Sequence, residues 1–221
     1  MKIKYLYFAL SALFVCSCAG DIKEKLNVSA DNPGECVFSK SFVQNFIDVK
    51  TLSLHKEKDK SISVYMYGDI FTADTNAEKY QNSCEKNGDM DLNMYMYMYM
   101  YMSSPSDAVV NDFRSIHVYS NEKCIDDELI VKFSSCKEFI KSHYTIPEGL
   151  VHGGVSVLDV NSAYVFYEKP LNCITENDLL LSNSHYSIVF KSEPTNKKME
   201  IKVEMTSSDG RTISETKWLN F

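Results

Sequence analysis

The sequence predicts a mainly β protein: an antiparallel β-sandwich with one short helix, preceded by a cleaved signal peptide. Three observations support this fold class. Several short runs alternate apolar and polar residues with period two, turn-forming residues separate these runs, and the chain opens with a short apolar leader. About 200 residues follow the leader, which is enough for one sizeable hydrophobic core. We therefore predict a single β-sandwich domain over residues 36–221.

The amino terminus, MKIKYLYFALSALFVCSCAGD, predicts a secretory signal peptide over residues 1–17. Lys2 and Lys4 form a short positive region, and an apolar run of about eleven residues follows them. A run of this length is too short to span a bilayer as a helix, which takes roughly 20 residues. We therefore expect the leader to be removed and residues 18–35 to form a tether before the domain.

Two cleavage sites fit the residues that follow the apolar run. The segment Val-Cys-Ser-Cys at residues 15–18 resembles a bacterial lipobox, in which the last cysteine becomes the acylated first residue. In this interpretation Cys18 is the lipid attachment site. The alternative is an ordinary small-x-small site at residues 17–19, which would release a soluble protein that begins at Gly20; a third interpretation is an uncleaved anchor.

The charge balance excludes one class of partner. The chain has 23 Lys and Arg against 30 Asp and Glu, for a formal net charge of −7, and it has no basic cluster. Because neutralisation of phosphates supplies most nucleic-acid affinity, we expect no nucleic-acid partner. No second apolar segment reaches spanning length, so we expect contact with a membrane only through a lipid on Cys18.

Strand signals dominate the first half of the domain. Residues 49–54 and 62–67 alternate apolar and polar side chains. The charged stretch at residues 56–60 predicts a solvated hairpin connection between these two strands. Residues 116–119, Ile-His-Val-Tyr, predict another short strand because β-branched and aromatic residues favour that conformation.

One helix and one further hairpin are predicted in the second half. Residues 134–141 offer a serine N-cap followed by apolar residues, which predicts a helix of two turns. Residues 199–205 keep apolar side chains on one face and charged ones on the other, as a half-buried strand requires. Residues 207–210 then supply a turn in which Gly210 can take a positive φ angle, and residues 211–221 return as the partner strand.

The run MYMYMYMYM at residues 94–102 is the most unusual segment. In a strand its methionines would line one face and its tyrosines the other. The methionines cannot converge on one copper ion, because same-face residues of a strand lie about 7 Å apart. The run is interpreted as a core or edge strand, as a strand that presents tyrosines for binding, or as a disordered or misregistered repeat. The candidate binding face consists of Tyr95, Tyr97, Tyr99 and Tyr101.

The cysteines suggest one disulfide without fixing it. The chain has 7 cysteines, of which Cys16 and Cys18 lie in the leader region; the others are Cys36, Cys84, Cys124, Cys136 and Cys173. Their spacings match neither paired C-x-x-C metal sites nor a redox C-x-x-C motif. Cys124 and Cys136 are the best candidate disulfide, since both lie beside predicted element ends. The alternative is that several cysteines are small buried hydrophobic residues.

No catalytic or metal-binding motif stands out. Residues 89–93 resemble the start of a calcium loop, but Met94 and Met100 occupy the positions at which that loop needs glycine and glutamate. H-E-x-x-H, G-x-S-x-G, P-loop and G-x-G-x-x-G motifs do not occur. The histidines are scattered without a ligand partner at a useful local spacing, and residues 126–128 are interpreted as a solvated turn. We therefore predict no enzyme activity, no metal site and no cofactor.

Four features occur together in this chain. They are the Cys18 lipobox, the segment DFRSIHVYS at residues 112–120, the short helix at residues 136–141 and the closing hairpin with Ser-Asp-Gly-Arg at residues 208–211. Together they resemble uncharacterised lipoproteins of Bacteroidota that contain a β-sandwich domain of unknown function. The resemblance implies a β-sandwich on the periplasmic or surface side of a cell envelope, at the outer membrane, and supplies no catalytic residues. Secreted viral or parasite immune-evasion sandwiches, which are also acidic, β-rich and cysteine-bearing, are a second similar family.

The expected function is a non-enzymatic, lipid-anchored protein of the cell envelope that presents a β-sandwich for binding or assembly, with a protein or glycan as ligand. The alternative is a soluble secreted effector that binds a host protein. An envelope hydrolase is a third hypothesis, which would require His143 or His152 beside an acidic residue in a cleft.

Overall fold

Two β-sheets make up most of the structure, a computed structural model that describes residues 41–57, 59–90, 92, 106–144 and 163–221. All of these residues belong to one unit, Lys40–Phe221. The described part of the chain contains ten strands: β1 (Asn45–Lys56), β2 (Ser61–Phe71), β3 (Asp107–Val109), β4 (Phe113–Ser120), β5 (Lys123–Cys124), β6 (Leu129–Ser135), β7 (Val165–Pro170), β8 (His185–Phe190), β9 (Lys198–Ser207) and β10 (Thr212–Asn220). The predicted mainly β fold is confirmed.

The strands divide unequally between the sheets. The six-stranded sheet has the order β3-β1-β2-β8-β6-β7, and the four-stranded sheet has the order β10-β9-β4-β5. Neighbouring strands run antiparallel except β1 and β3, which pair in parallel. A parallel pair needs a long crossover connection, and here the chain forms β2 and a helix before it returns as β3. The expectation of antiparallel pairing is therefore correct for all pairs but this one.

The β1–β2 hairpin forms where the alternation predicts it. Leu54 lies opposite Val64, so the apolar side chains of both strands share the inner face. Gly68 of β2 allows a close approach of the two backbones, because a Cβ at this position would lie 1.9 Å from the backbone oxygen of Asp48. Only glycine fits there without a shift of the neighbouring strand.

The β9–β10 hairpin also forms as predicted. In β9 buried residues such as Ile201 and Val203 alternate with half-buried ones along the strand. In the turn, Gly210 adopts a φ angle of 84°, and the Ser207 N–H donates to the carbonyl of Arg211 at 2.9 Å. The turn chemistry and the period-two pattern therefore agree on one register.

Two groups of buried side chains stabilise the fold. The inter-sheet core combines residues of both sheets: Ile47, Val49, Leu52, Leu54, Ile62, Val64, Met66, Val109, Phe113, Ile116, Val118, Ile125, Leu129, Val131, Phe133, Leu171, Leu179, Tyr186, Ile188, Phe190, Met199, Ile201, Val203, Met205 and Leu219. The side cluster is separate from it and contains Phe42, Val43, Phe46, Phe71, Cys84, Leu92, Ala108, Cys136, Phe139, Ile140, Tyr144, Ala163 and Leu181. The described part of the chain therefore has one core between the sheets and a second beside them.

Helix α1 (Ala77–Asn87) was not predicted from the sequence. The side chain of its N-cap residue, Asn76, accepts a hydrogen bond from the Lys79 N–H at 3.1 Å. Gly88 ends the helix in the left-handed conformation, with a φ angle of 68°. Asparagine before the helix and glycine after it are signals that the sequence contained. The helix has a weak apolar stripe, since only Ser83 and Cys84 are buried, and this explains why periodicity did not reveal it.

The predicted helix at residues 134–141 is present but shorter. Helix α2 spans Lys137–Lys141, and its N-cap is Cys136 with no side-chain cap bond. Ser134 and Ser135 instead end β6, where they pair with β7. Pairing with a strand some 30 residues further along the chain therefore overrides the local serine cap. A third helix, α3 (Glu176–Leu179), begins with a capping box between Thr175 and Asp178, so the described residues hold three helices instead of one.

The disulfide suggested between Cys124 and Cys136 is not formed, and both thiols are free. Cys124 is exposed on β5 of the four-stranded sheet, whereas Cys136 follows β6 of the six-stranded sheet and is fully buried. Burial raises the pKa of the Cys136 thiol well above its usual value, and it raises the pKa of Cys84 to about 11. These two residues fit the alternative interpretation of small buried hydrophobic side chains.

Candidate functional site

The outer face of the six-stranded sheet presents a group of aromatic side chains. Val64 and Met66 of β2 are buried in the inter-sheet core, so strand alternation directs Tyr65 and Tyr67 outward. Register places Tyr65 opposite a histidine of β8. We call this group the aromatic face, and it consists of His55, Tyr65, Tyr67, Phe166 and His185.

Ring contacts organise the aromatic face around Tyr65. Its ring centroid lies 4.7 Å from that of His185, 5.5 Å from that of His55 and 6.5 Å from that of Tyr67. The planes of the two tyrosine rings differ by 25°. Tyr67 is 54% exposed and Phe166 is 65% exposed. Large aromatic side chains that remain exposed together are typical of recognition surfaces.

Serine hydroxyl groups and one ion pair with no net charge lie near these rings. Ser53 lies opposite Tyr65, and Ser63 lies opposite His55 in the β1–β2 ladder. Lys132 and Glu168, on neighbouring strands, form an ion pair with an Nζ–Oε2 distance of 3.1 Å. Because the two charges offset each other, the surface around the rings offers hydrogen-bonding groups without a strong field of either sign.

His185 has a nitrogen without a partner. Within the described part of the chain, its Nε2 atom is shielded from solvent and makes no hydrogen bond. A buried polar atom in this condition costs about 1–3 kcal/mol. Tyr65 packs against the same imidazole ring. Because the atom is enclosed, it is not available to a ligand that binds on the surface.

A second group of polar side chains lies at the β4–β5 hairpin. We call it the hairpin cluster, and it consists of His117, Cys124 and Asp126. One ligand atom from each of the three lies within 4.8 Å of the other two. The Nδ1 atom of His117 lies 2.8 Å from Oδ2 of Asp126. The other carboxylate oxygen accepts a hydrogen bond from the Val118 N–H at 2.8 Å.

The hairpin register explains why these residues meet. Tyr119 lies opposite Cys124, and the strands are joined through Asn121 and Glu122, whose φ angles are 46° and 68°. Two positive φ angles are what a tight two-residue hairpin turn requires. If this register continues, His117 lies opposite Asp126. Cys124 precedes Asp126 by two residues and therefore lies on the same face.

Asp126 corrects two interpretations made from the sequence. Residues 126–128 form a short 3-10 helix instead of a solvated turn, and Asp126 itself is buried. His117, moreover, has a ligand partner at local spacing. The spacing H-x6-C-x-D predicts the cluster only if the turn between the two strands is known to contain two residues. Any other turn length would change the register and separate these side chains.

The Asp126 residue acts on Cys124 in two opposite ways. The backbone N–H of Asp126 donates to the sulfur of Cys124, which favours the thiolate and lowers the pKa of the thiol. Partial burial and the carboxylates of Asp126 and Asp127 have the opposite effect. They outweigh the hydrogen bond, so the pKa of Cys124 is raised above its usual value. The thiol is therefore exposed but protonated at neutral pH.

An open groove lies on the four-stranded sheet beside the hairpin cluster. Its volume is about 320 Å³, and it is lined by Tyr119, Asn121, Glu122, Glu200, Lys202, Glu204 and Thr216. Glu204 of β9 lies opposite His117 and binds the ammonium group of Lys202 at 2.6 Å. This hydrogen bond raises the pKa of Lys202. The glutamate charge next to the cluster is thus offset by a lysine.

Several predicted site residues lie outside the described residues. They are the signal peptide, Cys18 and the tether at residues 18–35, the candidate binding face Tyr95, Tyr97, Tyr99 and Tyr101, and His152. His143, the other histidine considered for a hydrolase, is exposed at the end of α2. The aromatic face was not predicted as a site, although the sequence predicted its β1 and β2 strands.

No protein-family model, curated protein or solved structure matches the chain. Among the residues that the structure describes, no helix is both long and apolar enough to cross a membrane. The function is therefore argued from the two surfaces themselves.

Proposed function

We propose that the protein is a non-enzymatic, lipid-anchored binding module of the cell envelope, attached through Cys18, whose aromatic face binds a neutral glycan. The observation that carries the binding proposal is the group of rings in contact with the half-buried Tyr65, of which those of His55 and Tyr67 are exposed. The lipobox-like residues 15–18 support the anchor.

Stacking and hydrogen bonding together suit a sugar. Tyr65 and Tyr67 offer flat apolar area on which the C–H face of a sugar ring can stack, and each ends in a hydroxyl. The half-exposed Ser53 hydroxyl, which lies 3.0 Å from Nε2 of the exposed His55, offers hydrogen bonds beside the rings. Because the rings stand on paired strands, little conformational entropy is lost when a ligand binds.

The composition of the face favours a glycan over a protein ligand. Protein interfaces bury roughly 800 Å² per partner around a fully desolvated apolar centre. Here a small hydroxyl residue, the half-exposed Ser53, lies directly opposite Tyr65 among the rings of the face. Such a surface suits a ligand that is itself covered with hydroxyl groups.

The first test measures binding of the mature full-length protein to an array of neutral oligosaccharides. We expect one class of glycan to bind, and the Tyr67→Ala variant to bind it about fivefold more weakly, since a stacked ring contributes about 1 kcal/mol. Trp218→Ala is the matched control. Trp218 is 57% exposed on β10 of the other sheet, so its loss should leave glycan affinity unchanged.

Three outcomes would contradict the glycan proposal. They are an array without binding, full affinity in the Tyr67→Ala variant, and an equal loss in Tyr67→Ala and Trp218→Ala. Binding that disappears as salt is raised would point to charge recognition instead of a neutral ligand.

A separate measurement tests the anchor. Mass spectrometry of the mature protein from its native membrane fraction should show a diacyl or triacyl group on Cys18. An unmodified amino terminus at Gly20 would reject the anchor and favour the soluble secreted effector that binds a host protein.

A further inference from the structure

On the other sheet, and independently of the proposed glycan site, the geometry points to a surface Zn²⁺ site formed by His117, Cys124 and Asp126, with water in the fourth position. The sequence predicted no metal site, because the three residues become neighbours only in the folded hairpin.

The ligand atoms are nearly in place. They lie within 4.8 Å of one another, and the donors of a tetrahedral Zn²⁺ site lie about 3.5 Å apart, since each is about 2.0–2.3 Å from the metal. The most distant pair must approach by about 1 Å, and the imidazole and carboxylate atoms, at 2.8 Å, must separate by about 0.7 Å. Cys124 and the half-exposed His117 can make this shift by side-chain rotation, because neither is packed in the core.

Asp126 fixes one corner of the site. Its side chain is only 11% exposed, and the Val118 N–H holds one carboxylate oxygen while the other faces the imidazole of His117. The bond from Val118 orients the carboxylate before the metal arrives, as hydrogen bonds to metal ligands do, and the metal would replace the contact between Oδ2 and the imidazole. The tight turn between β4 and β5 limits the freedom of the remaining two ligands.

The donor set selects the metal. A thiolate, an imidazole and a carboxylate are all common Zn²⁺ ligands. Ca²⁺ and Mg²⁺ prefer oxygen donors alone, and Cu(I) prefers several sulfur atoms. A thiolate and a carboxylate together carry two negative charges, which a divalent cation neutralises. The Glu204 charge nearby is already offset by Lys202.

Binding is balanced by the release of one proton. The Cys124 thiol loses its proton to solvent as the sulfur binds Zn²⁺, and His117 binds through a neutral ring nitrogen. No electron transfer is involved. Affinity should therefore fall as the pH is lowered, because protons compete for the sulfur and the imidazole.

A thiol nucleophile is the competing explanation for the same three residues. An activated cysteine needs a positive neighbour, whereas the Cys124 thiol lies beside the carboxylates of Asp126 and Asp127. Negative neighbours oppose formation of a free thiolate but attract a metal cation. The arrangement therefore favours coordination over nucleophilic catalysis.

Cobalt titration of the mature full-length protein, reduced and freed of metal, tests the site. We expect a near-ultraviolet band from thiolate-to-Co²⁺ charge transfer that saturates at one Co²⁺ per chain and disappears when Zn²⁺ is added. The Cys124→Ser variant should lack the band, and Asp126→Asn should bind at least tenfold more weakly. Cys173→Ser is the matched control, since Cys173 is also an exposed free thiol and should not contribute.

A measurement on the unaltered protein guards against a folding defect in the variants. Zn²⁺ should slow alkylation of Cys124 at least tenfold and leave the rate at Cys173 unchanged, as read by peptide mass spectrometry. The proposal is overturned if the wild type shows no cobalt band, if Cys124→Ser keeps it, or if Zn²⁺ protects both thiols equally. Retention of the band in the Tyr67→Ala variant would show that the two sites are independent.

Discussion

The inter-sheet core and the side cluster are both buried, but they are held together differently. The inter-sheet core consists mostly of apolar side chains from strands that alternate with period two. The side cluster surrounds a fully buried carboxylate, Asp89, which accepts hydrogen bonds from the Phe42 N–H at 2.7 Å, the Val43 N–H at 2.9 Å and the Tyr144 hydroxyl at 2.9 Å.

This contrast separates two ways of stabilising a fold. Apolar contacts are non-directional, so the inter-sheet core depends on volume and tolerates substitutions that conserve it. The side cluster depends on a few directed bonds, and removing their acceptor takes away the bonds that the Phe42 and Val43 amides make to it. Volume changes should therefore affect the first region most, and loss of a polar group should affect the second.

The largest effect is expected from Leu54→Ala in the inter-sheet core. Leu54 is fully buried between the sheets, and truncating a buried leucine costs about 3–4 kcal/mol through lost contacts and the cavity left behind. Denaturant unfolding should show this loss in the free energy of unfolding, with a single cooperative transition. Leu54→Met, which conserves volume, should cost less than about 1.5 kcal/mol. Equal losses in the two variants would contradict the dependence on volume.

A smaller effect is expected from Asp89→Ala in the side cluster. The substitution leaves the donors of Phe42, Val43 and Tyr144 without this acceptor, which should cost about 2–3 kcal/mol. Hydrogen exchange should show the Phe42 and Val43 amides losing protection more than amides of β9. Glu193→Ala serves as the control, because that side chain is 85% exposed. Unchanged protection at the two amides would show that Asp89 does not hold the cluster together.

The smallest effect is a pH dependence of opposite sign at two carboxylates. Burial raises the pKa of Asp89 above its usual value, against the bonds from Phe42, Val43 and Tyr144. The pKa of Asp178 is lowered below the usual value of 3.8. Burial by itself would raise it, but the Lys169 ammonium, at 2.6 Å, and the hydrogen bonds from Thr175 outweigh burial.

The signs follow from linkage. A group whose pKa is higher in the folded state than in the unfolded state contributes its full stabilisation at pH values below its pKa in the unfolded state. This contribution is lost as the pH rises through its pKa in the folded state. A lowered folded pKa gives stability that is present above the unfolded value and is lost as the pH falls through the folded value. Between acid and neutral pH, the stability of the wild type relative to Asp89→Asn should therefore decrease, and relative to Asp178→Asn it should increase. Slopes of the same sign in urea unfolding would reject the contrast.

The hairpins were the part of the fold that the sequence predicted best. In the β1–β2 and β9–β10 hairpins, the paired strands follow each other in the chain. Their alternation, turns and pairing can therefore be predicted from neighbouring residues. The mainly β class follows from the same runs. Helix α1 was missed because its apolar stripe is weak, and the start of α2 was misplaced because β7 pairs with Ser134 and Ser135.

The candidate sites were less predictable than the strands. The aromatic face requires β8 beside β2, a pairing between segments more than a hundred residues apart in sequence. The residues of the hairpin cluster are close in the chain, but they meet only because the turn contains two residues. Both turn residues, Asn121 and Glu122, take positive φ angles, and the turn contains no glycine that would have indicated this. Glutamate rarely adopts this conformation, so the turn could not be expected from residue preference.

Local patterns and composition were enough to predict the strands of the long hairpins, the acidic net charge and the residues available for an anchor, because each depends on neighbours in the chain or on composition alone. The division into six and four strands, the parallel pairing of β3 with β1 and the burial of Asp89 depend on contacts between distant parts of the chain. Asp89 meets its backbone donor Phe42 across 47 residues. Such partners are chosen by packing of the whole chain, and no local pattern encodes which of 30 acidic residues will be enclosed.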